Sequence, residues 1–277
     1  MRPRLWLVLP AIVLLTLLSL PVQALAVALR RPARHRIPML YHRALLVLIG
    51  VRVRRVGALS AARPLLLVCN HVSWLDIVVL GAQAPLAFVA KSEVGGWPGI
   101  GLLARLAGTV FVDRSRRTAT GAANRAIAER LRAGMPVVLF AEGTSGDGTR
   151  VLPFRSALLG AAQQALVEGG EPAAVQPLAL AYVRQQGLPL GRSGRARIAW
   201  YGDMDLVPHL LALIGRGAID AELHAGPPLA ALGRKEQARA AEQAVVRLLA
   251  EARRGAPGAF PFAGNPAKQT TGASRRQ

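Results

Sequence analysis

The sequence predicts an α/β fold: a mixed, largely parallel sheet flanked by helices, with an N-terminal membrane-anchoring helix. Three observations predict this class. From Arg63 onward, apolar runs typical of buried strands alternate with helix-like patterns. Several of these runs end in charged or hydroxylated residues, as expected where parallel strands end at a common sheet edge. Near the N-terminus, the stretch from Leu5 to Leu29 has no ionisable side chain.

Each element follows from its local pattern. The predicted strands are short runs of mainly apolar residues: Leu65–Cys69, Leu86–Ala90, Thr109–Val112, Val137–Ala141, Val175–Val183, Arg195–Tyr201 and Ile219–His224. The predicted helices are Trp74–Gly81, Ile100–Leu106, Thr118–Arg132, Arg155–Val167, Leu206–Leu213 and Lys235–Arg253. Pro177 lies inside its strand, which predicts an edge position or a bulge because proline cannot donate to the ladder.

The N-terminal apolar run is long enough to cross a bilayer as a helix. Pro10 and Pro21 interrupt it, so a kinked or shallowly inserted helix is the alternative to a spanning one. Arginines are more numerous after the run than before it, which predicts that the rest of the chain faces the cytoplasm. A cleaved signal peptide ending near Ala24–Ala26 is a competing interpretation. A second apolar stretch, from Ala44 to Val51, is too short to span.

Composition restricts the possible functions. The chain has 35 lysines and arginines against 15 acidic residues, a formal net charge of +20, and no acidic residue precedes Asp76. A basic N-terminal quarter suits an anionic surface, either lipid head groups or nucleic acid. Cys69 is the single cysteine, which excludes a disulfide framework and a thiolate metal cluster. A Cys69–His71 nucleophile is conceivable, although a buried core position is the commoner role of a free cysteine.

The candidate catalytic pair is His71 and Asp76, an H-x4-D (HX4D) spacing that follows the first predicted strand directly. If the chain turns between them, the carboxylate can fix the tautomer of the imidazole, which is the arrangement that a general base requires. The alternative is local: Ser73 and Asp76 also resemble a capping box at a helix start, with His71 an ordinary loop residue.

Three more charged residues follow predicted strands, namely Lys91, Arg114 and Glu142. If the strands are parallel, these side chains lie at the same sheet edge as His71, where ligands bind in α/β proteins. Each also has a simpler interpretation: Lys91 and Arg114 as surface charges, and Glu142 as the cap of a turn.

Four blocks, in order, resemble the membrane-associated glycerolipid acyltransferase family. They are Asn70-His71-Val72-Ser73-Trp74-Leu75-Asp76, Gly108-Thr109-Val110-Phe111-Val112-Asp113-Arg114, Phe140-Ala141-Glu142-Gly143-Thr144-Ser145 and Val175-Gln176-Pro177-Leu178. Ala141 replaces the proline that is usual in the third block. The segment from Arg184 onward, including Trp200 to Asp205, is similar to a subgroup that acts on lyso-ornithine lipid.

The resemblance implies transfer of a fatty acyl group from an acyl carrier protein or coenzyme A thioester to 1-acyl-sn-glycerol-3-phosphate, giving phosphatidic acid. O-acylation of lyso-ornithine lipid is the alternative; a non-enzymatic basic protein that binds membranes or nucleic acid is a weaker one. No metal or redox cofactor is expected. We expect a membrane anchor over residues 1–36, an acyltransferase domain over 37–254 at the cytoplasmic membrane, and a disordered tail over 255–277.

The same resemblance suggests roles for the candidate residues. His71 is expected to act as the general base and Asp76 to orient it and stabilise the imidazolium. Arg114, assisted by Lys91, is expected to bind the acceptor phosphate. Backbone N–H groups near Gly143 and Thr144 are expected to hold the acceptor or an oxyanion. The last candidate, Glu142, is expected to hold either Arg114 or an acceptor hydroxyl.

Overall fold

The structure, a computed structural model, describes residues 3–112, 117–157, 159–160 and 173–254, with side chains of 117–124 left out. These residues form one eight-stranded sheet in the order β1-β8-β6-β2-β5-β3-β4, with β7 paired to β6. The strands are β1 Val51–Val56, β2 Leu65–Cys69, β3 Ala87–Lys91, β4 Val110–Val112, β5 Val137–Phe140, β6 Ala174–Gln185, β7 Leu188–Pro189 and β8 Ile219–Ala225.

Two helices precede the sheet, and the others lie between or after its strands and cover its two faces. The helices are α1 Pro3–Ala28, α2 Ala33–Ile49, α3 Leu75–Gly81, α4 Ile100–Leu106, α5 Arg117–Arg132, α6 Arg192–Ala196, α7 Leu206–Arg216 and α8 Arg234–Arg254, with a 3₁₀ turn at Ser92–Gly96. Strands β2 to β6 pair in parallel, β8 is antiparallel to β6, and β1 is parallel to β8. The predicted mixed, largely parallel sheet is confirmed.

Alternation along the strands separates two cores. In β2, Leu65, Leu67 and Cys69 face the core that α2, α3 and α7 cover, and part of α1 packs against the same core. Leu66 and Val68 face the other core, which α5 and α8 cover. All five residues of β2 are buried, because this strand lies inside the sheet with helices on both sides. Helices α1 and α8 therefore lie on opposite faces of the sheet.

Helix α1 lies against the domain and is tied to it near both ends. The Arg4 guanidinium donates to the Ile214 carbonyl (2.7 Å) and the Ile49 carbonyl (2.6 Å), which lie in the last turns of α7 and α2. The Gln23 amide donates to the Leu106 carbonyl at the end of α4 (2.7 Å). Gln23 lies nineteen positions after Arg4 in the helix, about 28 Å at 1.5 Å per residue.

The outward side of α1 is apolar. Its exposed large side chains are Trp6, Leu7, Val13, Leu14, Leu17, Leu18, Val22 and Leu25, and the exposed Leu29 follows its last residue. Among the described residues, α1 is the one helix long and apolar enough to cross a membrane. Pro10 and Pro21 lie within an uninterrupted helix, so neither proline divides it.

Several predicted elements differ from the structure. The strand predicted at Arg195–Tyr201 is wrong: α6 ends at Ala196 and a loop follows, so its apolar residues are buried by packing on the sheet and not by pairing. The short apolar stretch from Ala44 belongs mostly to α2, and β1 begins at Val51. The helix predicted at Arg155–Val167 and the tail from residue 255 lie largely outside the described residues.

Pro177 is neither in an edge strand nor at a bulge. Strand β6 lies between β2 and β8, and its register shift falls at Tyr182/Arg184. The Pro177 carbonyl accepts from the Gly226 N–H (3.0 Å), one residue after the end of β8. The proline nitrogen cannot donate to this side, and the Gly226 carbonyl accepts instead from the Gln176 side-chain amide at 2.8 Å.

Candidate active site

His71 and Asp76 lie in contact at the end of β2. His71 follows the strand by two residues, and Asp76 occupies the first turn of α3, so the intervening loop reverses the chain. The His71 Nδ1 atom is 2.8 Å from Asp76 Oδ2. The His71 side chain is 17% exposed, whereas that of Asp76 is fully buried. The contact required of the predicted pair is present; its catalytic role stays a prediction.

The Asp76 carboxylate is held by four donors. Oδ2 accepts from His71 Nδ1 and from the backbone N–H groups of Val72 (2.6 Å) and Ser73 (2.9 Å). Oδ1 accepts from the Tyr182 hydroxyl at 2.7 Å. Four donors on two oxygens fit an ionised carboxylate, and they fix its orientation. Since Nδ1 donates to a carboxylate, the neutral imidazole carries its lone pair on Nε2.

The capping interpretation is also correct in part. The Ser73 N–H donates to the Asp76 side chain, which is one half of a capping box at the start of α3. The Ser73 Oγ atom is buried without a partner, so the reciprocal half is absent. One carboxylate therefore both supports the helix start and contacts His71.

Strand β5 and the loop after it support the imidazole from the other side. The His71 ring stacks on Phe140, with ring centroids 4.0 Å apart and an interplanar angle of 16°. The His71 N–H donates to Glu142 Oε1 (3.0 Å), and the Leu152 N–H donates to Glu142 Oε2 (3.1 Å). The His71 carbonyl accepts from the Gly146 N–H at 2.9 Å. The β5 loop thereby fixes both backbone polar groups of His71.

Glu142 is a buried carboxyl beneath the loop that joins β2 to α3, which contains His71. Burial raises its pKa to about 8, and the backbone N–H groups of His71 and Leu152 oppose that rise. Both of its oxygens contact backbone of this chain, so Glu142 connects the His71 loop to the segment around Leu152. Its expected contact with Arg114 or an acceptor hydroxyl stays a prediction, because Arg114 lies outside the described residues.

The remaining candidates lie at or near the same sheet edge. Lys91 is the last residue of β3 and is exposed. Gly143 has a φ of +77°, a conformation that suits glycine, and its N–H donates to the Phe140 carbonyl (3.1 Å) in a tight turn. Thr144 is exposed. The structure thus brings His71 and Glu142 together, while substrate contacts of Lys91, Gly143 and Thr144 stay predictions.

Cys69 does not form a nucleophile with His71. Its side chain is fully buried in the core. Burial raises the pKa of the thiol well above its ordinary value, and the nearby charges of Asp76 and Glu142 raise it further. A reactive thiolate needs the opposite environment, so Cys69 is a core residue.

Sequence reasoning missed two supports of the site, Tyr182 and Trp200. Tyr182 is 106 positions from Asp76 along the chain, and no local spacing connects them. Leu178, Leu180 and Tyr182 alternate along β6 and face the same core. This period-two pattern could have indicated from the sequence that Tyr182 is buried on that face. The Trp200 backbone N–H donates to the Val72 carbonyl at 2.9 Å, so the segment after α6 also holds the loop between β2 and α3.

Comparison with known proteins identifies the family. The Acyltransferase family model matches residues 50–181. The lyso-ornithine lipid O-acyltransferase of Brucella abortus (strain 2308) is 47% identical over 253 residues, 90% of this chain and 95% of the relative. The chain therefore belongs to the acyltransferase family and is an acyltransferase, as the resemblance predicted.

Two further similarities are weaker. The 1-acyl-sn-glycerol-3-phosphate acyltransferase of Neisseria gonorrhoeae is 37% identical over 150 residues, 54% of this chain and 56% of the relative. The crystal structure of the 1-acyl-sn-glycerophosphate (LPA) acyltransferase of Thermotoga maritima matches with a TM-score of 0.58 and 21% identity, over 83% of this chain and 85% of that one. This second match supports the fold alone.

Proposed function

We propose that this acyltransferase transfers a fatty acyl group to the free hydroxyl of lyso-ornithine lipid. The support is the relative that matches almost the full length of the chain, whose name specifies that acceptor. The relative named for 1-acyl-sn-glycerol-3-phosphate matches only about half of the chain. The acceptor expected first, 1-acyl-sn-glycerol-3-phosphate, is therefore the less well supported of the two.

The observation that carries the mechanism is the His71–Asp76 contact. Asp76 occupies Nδ1, so Nε2 accepts the proton of the acceptor hydroxyl as its oxygen attacks the thioester carbonyl carbon. The C–S bond then breaks, and the leaving thiolate takes the proton back from Nε2. The products are the ester and a free thiol. The buried negative charge of Asp76 stabilises the imidazolium formed between these steps.

The acceptor head groups differ in charge. Ornithine carries a carboxylate and a basic amine, whereas 1-acyl-sn-glycerol-3-phosphate carries a phosphate. A guanidinium binds a carboxylate or a phosphate through the same pair of N–H donors. We therefore retain Arg114 as a proposed head-group contact for either acceptor, with Lys91 as a secondary one.

We also propose that the apolar outward side of α1 contacts the cytoplasmic membrane. The support is its row of exposed large apolar side chains and its attachment to the domain through Arg4 and Gln23. This arrangement places the domain beside the bilayer, where the lysolipid acceptor resides. The acyl donor is an acyl carrier protein or coenzyme A thioester, and no metal or redox cofactor takes part in the proposed steps.

A lysolipid panel tests the proposal. Purified wild type and His71→Ala are assayed in mixed micelles with lyso-ornithine lipid or 1-acyl-sn-glycerol-3-phosphate, and both ester and thiol are quantified. We expect kcat/KM to be at least about tenfold higher for lyso-ornithine lipid, a preference of about 1.4 kcal/mol. We expect His71→Ala to lower kcat by about 10²- to 10⁴-fold. A preference for the phosphate acceptor would contradict the assigned acceptor, and near-normal turnover by His71→Ala would contradict the mechanism.

A further inference from the structure

Four arginines surround the loop that follows β5, and we call Arg150, Arg192, Arg195 and Arg253 the arginine cluster. The Arg253 guanidinium donates to the carbonyls of Gly148 and Thr149 in this loop, both at 2.8 Å. Arg192 and Arg195 belong to α6. Arg150 and Arg192 are exposed.

Among the residues that the structure describes, Asp147 is an acidic neighbour of the cluster. Hydrogen bonds from Thr149 lower the pKa of the Asp147 carboxyl, and the positive charges of Arg150 and Arg192 lower it further. Burial and the nearby charge of Arg195 lower the pKa of Arg253, whereas Asp147 raises it. The four guanidinium groups outnumber this carboxylate, so the described part of this surface is positive.

This positive surface adjoins the catalytic loop. A Cβ atom placed on Gly148 would lie 3.1 Å from Val72 Cγ1 and 3.7 Å from Arg195 Cβ. Val72 follows His71 directly in the chain. The loop also bonds to the His71 carbonyl through the Gly146 N–H. A partner bound on the arginine cluster would therefore lie next to the imidazole.

Arg253 and the loop around Arg150 are associated with the sheet face opposite α1, whereas α6, which carries Arg192 and Arg195, is followed by Ile198 and Ala199 of the other core. Arg253 lies in the last turn of α8, which packs on the core that includes Leu66 and Val68. Helix α1 packs on the other core, and its exposed apolar side is the proposed membrane contact. A ligand approaching the cluster on the α8 side comes from water, which favours a soluble anionic partner over a lipid surface.

We propose that the arginine cluster docks an acidic acyl carrier protein, which delivers its thioester to His71. This inference rests on the proposed acyl-transfer function and assigns the donor and its binding surface. Arginines exposed on two separate elements, a loop and a helix, fit a protein surface bearing several carboxylates better than a single small anion. Charge complementarity of this kind increases association rate and makes it dependent on ionic strength.

The test is a charge reversal away from the catalytic residues. Arg150→Glu/Arg192→Glu changes two exposed side chains that have no role in the proposed chemistry. The matched control is Lys235→Glu/Arg239→Glu, which makes the same change in net charge on exposed residues of α8. Arg239 lies fourteen helical residues before Arg253, about 21 Å along the axis.

Kinetics and direct binding are measured for wild type and both variants, at about 0.02 M and 0.5 M salt. We expect Arg150→Glu/Arg192→Glu to raise KM for acyl-carrier protein at least about tenfold at low salt, with kcat little changed. The increase should shrink at high salt, because screening shortens the range of the interaction. Binding of carrier protein without an acceptor, measured by surface plasmon resonance, should weaken in parallel, and the control variant should match wild type.

Other outcomes would overturn the inference. An unchanged KM for acyl-carrier protein, or an equal rise in the control, would show that the cluster is not the docking surface. A rise confined to acyl-coenzyme A would assign the cluster to the phosphates of that donor. Loss of binding to anionic vesicles, with carrier-protein binding intact, would assign it to the membrane. The binding measurement needs no turnover, so it separates this inference from a failure of the proposed acceptor.

Discussion

Replacing Asp76 with asparagine isolates the negative charge beside His71. The amide oxygen of asparagine can take the place of Oδ2, which accepts from His71 Nδ1 and from the N–H groups of Val72 and Ser73. The amide nitrogen then faces the Tyr182 hydroxyl, which can accept as well as donate. The loop geometry and the imidazole tautomer are therefore retained in Asp76→Asn, while the charge is lost.

A lower and an upper limit can be given for the fall in kcat caused by Asp76→Asn. A hydrogen bond to a charged group contributes about 1 kcal/mol more than a neutral one, which corresponds to roughly fivefold to tenfold in rate. Opposite charges about 4 Å apart attract by about 4 kcal/mol at an effective dielectric constant of about 20, or roughly 10³-fold. Asp76 is fully buried, so we expect a fall in kcat between these limits, of about 10²-fold.

The assay compares kcat and KM of wild type and Asp76→Asn for the same donor and lysolipid acceptor. Glu236→Gln, which neutralises an exposed carboxylate of α8, serves as the control, and thermal unfolding verifies that each variant is folded. A fall in kcat of less than about threefold in folded Asp76→Asn would be smaller than the lower limit, which comes from the hydrogen bond alone. That result would refute stabilisation of the imidazolium by this carboxylate.

Three further perturbations test the supports of the site. Tyr182→Phe removes the hydroxyl that donates to the catalytic-pair carboxylate; we expect a loss of about 1–3 kcal/mol in the free energy of unfolding, measured by urea denaturation, because a buried acceptor is left unpaired. Gly81→Ala places a Cβ atom 2.1 Å from His42 Nδ1 where α2 packs on α3, whereas Gly96→Ala meets nothing within 4 Å. We expect the first to cost about 1–3 kcal/mol by overpacking and the second to cost less than half as much in the same urea experiment. Burial raises the pKa of Glu142 to about 8 in the folded protein, so between about pH 4.5 and 8 the native state retains a proton that the unfolded state has released, and stability falls as the pH rises. In Glu142→Gln this fall, followed by urea denaturation across the same pH range, should be smaller; an equally steep fall would contradict the assignment to Glu142.

Local pattern was sufficient for the elements that position the catalytic pair. An apolar run followed at once by His71 and Asp76 predicted a buried strand, a chain reversal and a contact, and β2, the loop and α3 have that form. The polar ends of β2, β3 and β5 were predicted to meet at one sheet edge, and these strands are parallel neighbours. Each inference used only residues close in sequence, or the rule that parallel strands end together.

Contacts between distant segments could not be predicted in the same way. Arg52 was counted with the basic N-terminal quarter that suits an anionic surface, yet its guanidinium pairs with the buried Asp220 of β8 at 2.6 Å. Arg54 likewise pairs with Glu222. Nothing near these residues in the sequence specifies a parallel pairing of β1 with β8, because that register depends on partners 168 positions away. The number of basic residues in a sequence therefore overstates the positive charge that is available to a partner.

Positive charge that a partner can use remains at the end of the sheet near His71. Arg52 and Arg54 bond to carboxylates of their own chain, whereas Arg150 and Arg192 are exposed with Asp147 as an acidic neighbour. Because α1 and α8 lie on opposite faces of the sheet, a bilayer against α1 and a soluble donor near the end of α8 could both reach the His71 edge. Separate approaches of this kind suit the proposed acyl transfer between a lipid and a water-soluble thioester. In the proposed arrangement the sheet both positions the imidazole and keeps the two substrates on different sides.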